Sequence, residues 1–374
     1  MSLLTPRVAH LKQKLVLQIS GPDSQKFLKG LSCKDVEYLS GGYSGFLNAS
    51  GRVLHTVFIF PRSDTSYLIT HESQESHPEP LTKLLPPFKL RSKVRIKDVT
   101  DQWDAWSSWG SSLAQIDSPR RLWKIGSGGA AESHWEWQQG VAQLNLAEGE
   151  VGCWDLRAGW NGMGQQLLVP KGNRPSLATN YDISTADEYK LHRMLLGVPE
   201  GPEEIVPGQA LPLESCMDIH GGVDFRKGCY LGQELTVRTY HTGATRKRIL
   251  PIHLIPLDSS LKIFDVLNSP VQTPIEDSNI LSEIIYHPPR SSAIRKTRSI
   301  GKVLALHNTV GLGLVRLEMA ERCWWSDNIL QSSVTQWLES DAGKMTAQIN
   351  GKEWGIYVGK GEAYAAALDY MSSL

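Results

Sequence analysis

Between Asp224 and Glu234 the chain reads Asp-Phe-Arg-Lys-Gly-Cys-Tyr-Leu-Gly-Gln-Glu, which sets one thiol, Cys229, behind two adjacent cations and between two glycines. Thiolate, not thiol, is the nucleophile and the soft-metal ligand, so Arg226 and Lys227 would activate Cys229 if their charges lie near the sulfur. Gly228 and Gly232 permit a positive φ or a close backbone approach, which predicts a tight exposed bend rather than a core position. A free cysteine is ordinarily a small buried apolar residue. The surroundings of Cys229 favour a working one, whereas Cys33, Cys153 and Cys323 lack such surroundings and read as core or incidental.

The elements that must hold this segment are of α+β type. Lys14 onward alternates as a strand over residues 15–20, Gly21-Pro22-Asp23 turns, and Asp23 or Ser24 caps a helix carrying Phe27, Leu28 and Leu31. Phe46 and Leu47 lead through a turn at Asn48 to Gly51 into a β segment from Val53 to Phe60, a hairpin pattern. Tyr189, His192, Arg193 and Leu196 recur at helical spacing, and Gly197 supplies a stop. Residues 197–222, rich in Gly and Pro, predict extended backbone over a surface. Leu235 and Val237 alternate with Thr236, Arg238 and Tyr240, which predicts a half-exposed strand from Glu234 to Tyr240.

After Arg246 short apolar runs at 249–255, 301–306, 311–317 and 347–358 give the pattern of a small β-barrel or sandwich. The expected division is residues 1–246, two α+β units meeting near 100–115, and residues 247–374, a barrel carrying a disordered polar, basic insertion near 286–299. Trp103, Trp106 and Trp109 at three-residue spacing predict one face of a helix used for packing, and Trp135 and Trp137 alternate as strand neighbours.

Composition narrows the function classes. A chain of 374 residues with 41% hydrophobic and 21% charged content can bury a substantial core in two or three domains. Lys plus Arg equals Asp plus Glu at 39 each, so attraction to nucleic acid or an anionic membrane requires a local patch. No stretch approaches the roughly 20 apolar residues of a membrane span. Neither a nucleic acid nor a membrane partner is expected. Five cysteines without a CxxC pair fit a reducing compartment. Arg7, Lys12 and Lys14 without an acid give the N-terminus a faint transit-peptide bias, but Leu15, Leu17 and Ile19 read as the first strand of a folded domain, any presequence having been removed.

Four segments together carry a resemblance: Leu191-His-Arg-Met-Leu-Leu-Gly-Val-Pro-Glu-Gly, Leu211-Pro-Leu-Glu-Ser, Lys227-Gly-Cys-Tyr-Leu-Gly-Gln-Glu and His241-Thr-Gly-Ala-Thr-Arg-Lys-Arg. They closely resemble the YgfZ-type iron–sulfur assembly proteins, in particular the mitochondrial, aminomethyltransferase-like branch. Gly21-Pro-Asp-Ser with Phe27-Leu-Lys-Gly-Leu, and Asp155-Leu-Arg with Leu167-Leu-Val-Pro, look like the opening and middle motifs of that family, so the resemblance covers nearly the whole chain. It implies an α+β fold of the T-protein type, two interleaved ferredoxin-like units and a C-terminal barrel around a central opening. It also implies a mitochondrial matrix location and Cys229 as metal ligand. The cofactor-binding set it implies is Lys227, Gly228, Cys229, Tyr230, Gly232, Gln233, Glu234, Arg238 and Arg246.

Departures from the pattern bear on activity. The related aminomethyltransferases carry paired aspartates in the strand after the Gly-rich turn, where this chain has His55-Thr56, so no carboxylate occupies the proton-transfer position and no catalytic residue is assigned. Cys216 stands where Asn is expected, thirteen positions before Cys229, and a disulfide or shared metal site between them stays open because sequence separation gives no geometry. A [2Fe–2S] or [4Fe–4S] cluster takes four ligands, usually thiolates. One credible ligand therefore predicts a cluster whose remaining ligands come from a partner protein or a small thiol; the resemblance implies that the partner is an A-type scaffold protein, the shared cluster [2Fe–2S], and the chain alone a monomer. Tetrahydrofolate is the second ligand that the resemblance admits. Arg238, Arg246, Lys247, Arg248 and His241 read either as a solvated turn or as an anion site for a folate tail or an acidic partner, without the aromatic platform that RNA binding would need. A folate-dependent one-carbon transferase and a thiol-redox protein cycling Cys229 are the rival functions.

Overall fold

The computed structural model describes residues 6–37, 40–72, 79–110, 119–137, 144, 146–268, 275, 281–292, 296–324 and 327–374. In chain order its strands are β1 (Arg7–His10), β2 (Lys14–Ser20), β3 (Gly42–Leu47), β4 (Val53–Ser63), β5 (Ser66–Glu72), β6 (Arg95–Asp98), β7 (Trp103–Trp109), β8 (Arg120–Ile125), β9 (Ala131–Glu136), β10 (Val151–Trp154), β11 (Gln165–Pro170) and β12 (Asp182–Ser184). They continue with β13 (Lys247–Pro256), β14 (Glu283–His287), β15 (Arg298–His307), β16 (Val310–Arg316), β17 (Lys344–Ile349) and β18 (Lys352–Val358). The chain divides into two compact units, one of Lys190–Pro199 and Arg246–Gly361, the other of Ser2–Tyr189, Glu200–Thr245 and Glu362–Leu374.

The second of these units is built on two five-stranded sheets, ordered β3-β4-β5-β2-β6 and β10-β11-β7-β1-β12, with β8 and β9 as a separate hairpin. The first sheet is antiparallel throughout, and its inward residues Leu17, Ile19, Phe46, Val57, Ile59 and Ile69 pack on Phe27 and Leu28 of the helix Ser24–Lys29. Alternate residues of a strand face opposite sides, so the period-two pattern of residues 15–20 is enough to make one face of β2 apolar. The Asp23 side chain does not cap its helix; it accepts a hydrogen bond from the Lys93 N–H at 2.6 Å instead. The second sheet takes β1 first and its other strands only after β6, which interleaves the two layers.

Trp103, Trp106 and Trp109 lie in β7, not in a helix. Spacing of three then sends Trp106 to one face, against Val8, Leu167 and Val169, while Trp109 stands on the other near Tyr189. Residues 201–222 form successive turns with Met217, Asp218 and Ile219 buried, so this Gly/Pro-rich stretch is interior packing rather than extended surface backbone.

A buried ionic chain ties β2 and β5 of the first sheet to the segment that follows β10. Arg157, fully buried, donates Nε and Nη2 to the two carboxylate oxygens of Asp155 at 2.9 and 2.7 Å, and its Nη1 lies 2.7 Å from Glu200. Glu200 in turn lies 2.8 Å from Lys14 Nζ, which also meets Glu72. The guanidinium sits over the Phe58 ring at 4.8 Å. Burial alone would drive Lys14 to lose its proton, but Glu200 and Glu72 outweigh it and raise its pKa.

The other unit holds a closed six-stranded barrel, ordered β13-β16-β15-β14-β17-β18. The apolar run expected at 347–358 is two strands, β17 and β18, joined by a turn with Asn350 at φ 51. The helix Ala186–Leu195 ends at Gly197, whose φ of 75 is the left-handed geometry that glycine permits. The segment 286–299, expected as an insertion without structure, carries β14 and β15 at its ends; the N–H groups of Arg290 and Ser291 donate to Asp341, and residues 293–295 lie outside the described residues.

Candidate functional site: an exposed thiol on an anchored loop

The loop that carries Cys229 is fixed at both ends. At its start the Asp224 carboxylate accepts from Lys34 Nζ at 2.8 Å and from the Asp35 N–H at 2.7 Å. Burial raises the pKa of this carboxyl, but Lys34 and the Asp35 N–H more than offset that and hold it below the usual range. The Phe225 N–H donates to Glu132, and the Leu231 N–H donates to the Gly30 carbonyl at 3.0 Å.

Lys227 does not serve the sulfur. Its ammonium turns inward and donates to the carbonyls of Lys29, Ser32 and Lys34 at 2.8, 2.6 and 3.2 Å, where the chain leaves the helix Ser24–Lys29, and it lies over the Tyr230 ring. Burial lowers its pKa to about 8, against the opposing pull of Cys33, Asp35 and Asp224. The expected activation of Cys229 by Lys227 is therefore replaced by a mechanical role: its ammonium gathers the Lys29 carbonyl at the helix end and those of Ser32 and Lys34 just beyond it. Arg226 is exposed.

Cys229 is exposed, while Cys33, Cys153, Cys216 and Cys323 are buried, and all five thiols are free. Burial pushes the Cys33 and Cys323 thiols up to about 12 and raises Cys153 as well, so these three stay protonated. No disulfide joins Cys216 to Cys229. Among the described residues no group of three or more His, Cys, Asp or Glu side chains is arranged to hold a metal ion.

The two flanking glycines differ. Gly232 has φ 77, and a Cβ there would stand 2.2 Å from the Asn48 carbonyl oxygen, so the position demands glycine. Gly228 has neither a left-handed φ nor any neighbour within 4 Å of such a Cβ. Gly232 opens a helix, Gln233–Thr242, where alternation had predicted a strand. Thr236 and Tyr240, four residues apart, are its buried positions, and tertiary packing overrides the β-propensity of Thr and Val. The Tyr230 ring is buried, burial raising its hydroxyl pKa, and its N–H donates to Gln233 Oε1 at 3.2 Å. Glu234 and Arg238 point to solvent.

Lys227 to Glu234 and Arg238 thus form one loop and helix, whereas Arg246 belongs to the other compact unit. The cationic run at 246–248 is not one patch, since Arg248 in β13 is fully buried while Arg246 is exposed. His55 lies buried in β4 with Nε2 2.6 Å from the Glu79 carbonyl oxygen, which occupies it structurally. Asp224 and Glu132, the anchors of the loop, were not singled out by sequence reasoning; an acid five residues before the cysteine is the only local signal.

Residues 246–337 match the family model described as CAF17, C-terminal beta-barrel domain. The chain is 73% identical over 373 residues, 99% of its length and 100% of the relative, to a Cryptococcus neoformans protein named iron-sulfur cluster assembly factor IBA57 homolog, mitochondrial. A Neurospora crassa protein of the same name is 34% identical over 331 residues, 83% of this chain and 69% of the relative. In fold the chain is similar to the glycine cleavage system aminomethyltransferase T from Bartonella henselae, with a TM-score of 0.60 at 10% identity, over 97% of this chain and 87% of that one.

Proposed function

This chain belongs to the family of mitochondrial iron–sulfur cluster assembly factors named for IBA57, and we propose that within it Cys229 supplies one thiolate to a cluster shared with an A-type scaffold protein. The observation that carries this reading is the contrast in exposure: one thiol faces solvent on a loop held at Asp224, Lys227 and Leu231, and the other four are buried. Four ligands are the norm for such clusters. A chain whose described residues offer one accessible thiol, and no three-ligand group beside it, fits a partial ligand better than a self-contained site. The cluster, in the [2Fe–2S] form, is cargo on the way to mitochondrial [4Fe–4S] proteins.

The test mixes the purified chain with a [2Fe–2S]-loaded A-type scaffold and follows visible absorption and native mass. Wild type should form a coloured heterocomplex, and Cys229→Ser should keep its thermal midpoint yet lose the coloured complex. An unchanged cluster-bearing complex with Cys229→Ser rejects the ligand role.

Tetrahydrofolate is the second ligand in this reading, carried by the motif resemblance alone. Aminomethyl transfer is the weaker reading, because His55, at the position where a carboxylate is needed, is engaged by the Glu79 carbonyl.

A further inference from the structure

Residues 80–97 contain six cations, Lys83, Lys89, Arg91, Lys93, Arg95 and Lys97, and no acid, and all six side chains are exposed. In a chain whose formal charges cancel, this is the local patch that an anionic surface would need. At its centre Leu90 is turned to solvent at 89% exposure, and Phe88, 37% exposed, shows one side to solvent while the other borders a small apolar cleft with Leu84, Leu85 and Leu231. Pro86 and Pro87, in the short 3-10 turn Pro86–Phe88, fix the backbone beneath them, and Leu90 itself adopts φ 44. Behind this tip, Leu81 and Leu85 are buried in the core, so the tip projects from a rigid base. Lys26, Leu90 and Arg91 border one open depression of about 580 Å³. The nearest acid there, Asp23, is already engaged by the Lys93 N–H.

We propose that the 83–93 tip docks the chain on an anionic phospholipid bilayer, with Phe88 and Leu90 entering the headgroup boundary and the surrounding cations meeting lipid phosphates. Apolar residues ringed by Lys and Arg are the composition of interfacial membrane contacts. An acidic protein is the poorer match. Protein interfaces favour Arg and deplete Lys, and here Lys83, Lys89, Lys93 and Lys26 outnumber Arg91 around the tip. Lysines are flexible point charges without bidentate geometry, suited to a diffuse field of phosphates. The contact is peripheral and uses neither the Cys229 sulfur nor its flanking charges, although Phe88 borders the same small cleft as Leu231 of that loop.

Co-sedimentation of the full chain with vesicles tests this. We expect binding to phosphatidylcholine vesicles containing cardiolipin, none to phosphatidylcholine alone, and release at high salt. Combined Lys89→Gln, Arg91→Gln and Lys93→Gln substitutions should weaken binding on the order of a hundredfold, since each lost cation is worth about fivefold. Leu90→Ser, which leaves charge unchanged, should weaken it several-fold, and Cys229→Ser should bind vesicles as wild type does. All are exposed positions, so an unchanged thermal midpoint certifies the fold. Equal binding to neutral vesicles, absence of binding to cardiolipin vesicles, or indifference to the triple substitution would overturn the proposal. So would intact binding by Leu90→Ser together with equally tight capture of soluble polyglutamate, which would assign the patch to an acidic protein.

Discussion

The ring of Phe225 stacks on that of Tyr240 with centroids 3.9 Å apart and planes 21° from parallel. The start of the cysteine loop is thereby held to the far end of the helix that follows it, and Cys229 rides on an arc closed at both ends. An exposed thiol can be presented at low conformational cost only if its backbone is already ordered.

Lys227 is the clearest test of that ordering. Replacing it with Met takes the ammonium from the Lys29 and Ser32 carbonyls, while the Lys34 carbonyl keeps its bond from Ser32 Oγ at 2.8 Å. We expect a loss of about 2 kcal/mol, mostly as local opening. Hydrogen exchange of residues 227–232 should accelerate well beyond that of the barrel; equal protection in mutant and wild type would contradict the anchoring role.

The glycines should behave oppositely. Gly232→Ala forces a Cβ toward the Asn48 carbonyl at a left-handed φ and should cost at least about 2 kcal/mol. Gly228→Ala meets open space and should stay within about 0.5 kcal/mol of wild type. Denaturant midpoints of the two variants decide.

In the ionic chain, Glu200→Gln removes the carboxylate that Arg157 and Lys14 share. Arg157 keeps Asp155 and Lys14 keeps Glu72, so what is lost is one shared buried acceptor, and destabilisation of about 1–3 kcal/mol is expected, while Arg7→Ala at a partly exposed pair should cost under about 1 kcal/mol. Thermal unfolding of both variants provides the comparison.

His253 in β13 supplies a pH signature. Burial lowers its pKa from 6.5 to about 4, so the folded state keeps the ring neutral where the unfolded chain would protonate it. The unfolded state therefore binds more protons between about pH 6.5 and 4, and stability falls as pH is lowered through that window. His253→Phe should flatten this acid limb by about 1–3 kcal/mol. Unfolding free energies measured across the range check it; an unaltered slope would show that other groups set it.

The first strand–helix–hairpin run was legible because Leu17 and Ile19 keep a period of two that matches one buried face, and because Val53 to Phe60 is a short β-branched and aromatic run that is buried on both faces. The helix Gln233–Thr242 was not, since Thr236, Val237 and Thr239 carry β-propensity, and only burial of Thr236 and Tyr240 four residues apart reveals the true period. At the site, the exposure of Cys229 was readable from its glycines, although only Gly232 turned out to need one. The inward turn of Lys227 was hidden because its partners are backbone carbonyls almost two hundred residues earlier, and a carbonyl leaves no mark in a sequence.

Interleaved strand order sets a schedule for a chain that becomes available from its N-terminus onward. Strands β2 to β6 complete their sheet by residue 98, but β1 must wait for β7, where Arg7 meets Trp109, and then for β12, where it meets Asp182. Long-range pairing is slow because loop-closure entropy must be met first. The first layer can thus assemble early, while β1 has no partner until residue 109 and one open edge until residue 184 of 374, and shielding that edge in the meantime is work a chaperone could do.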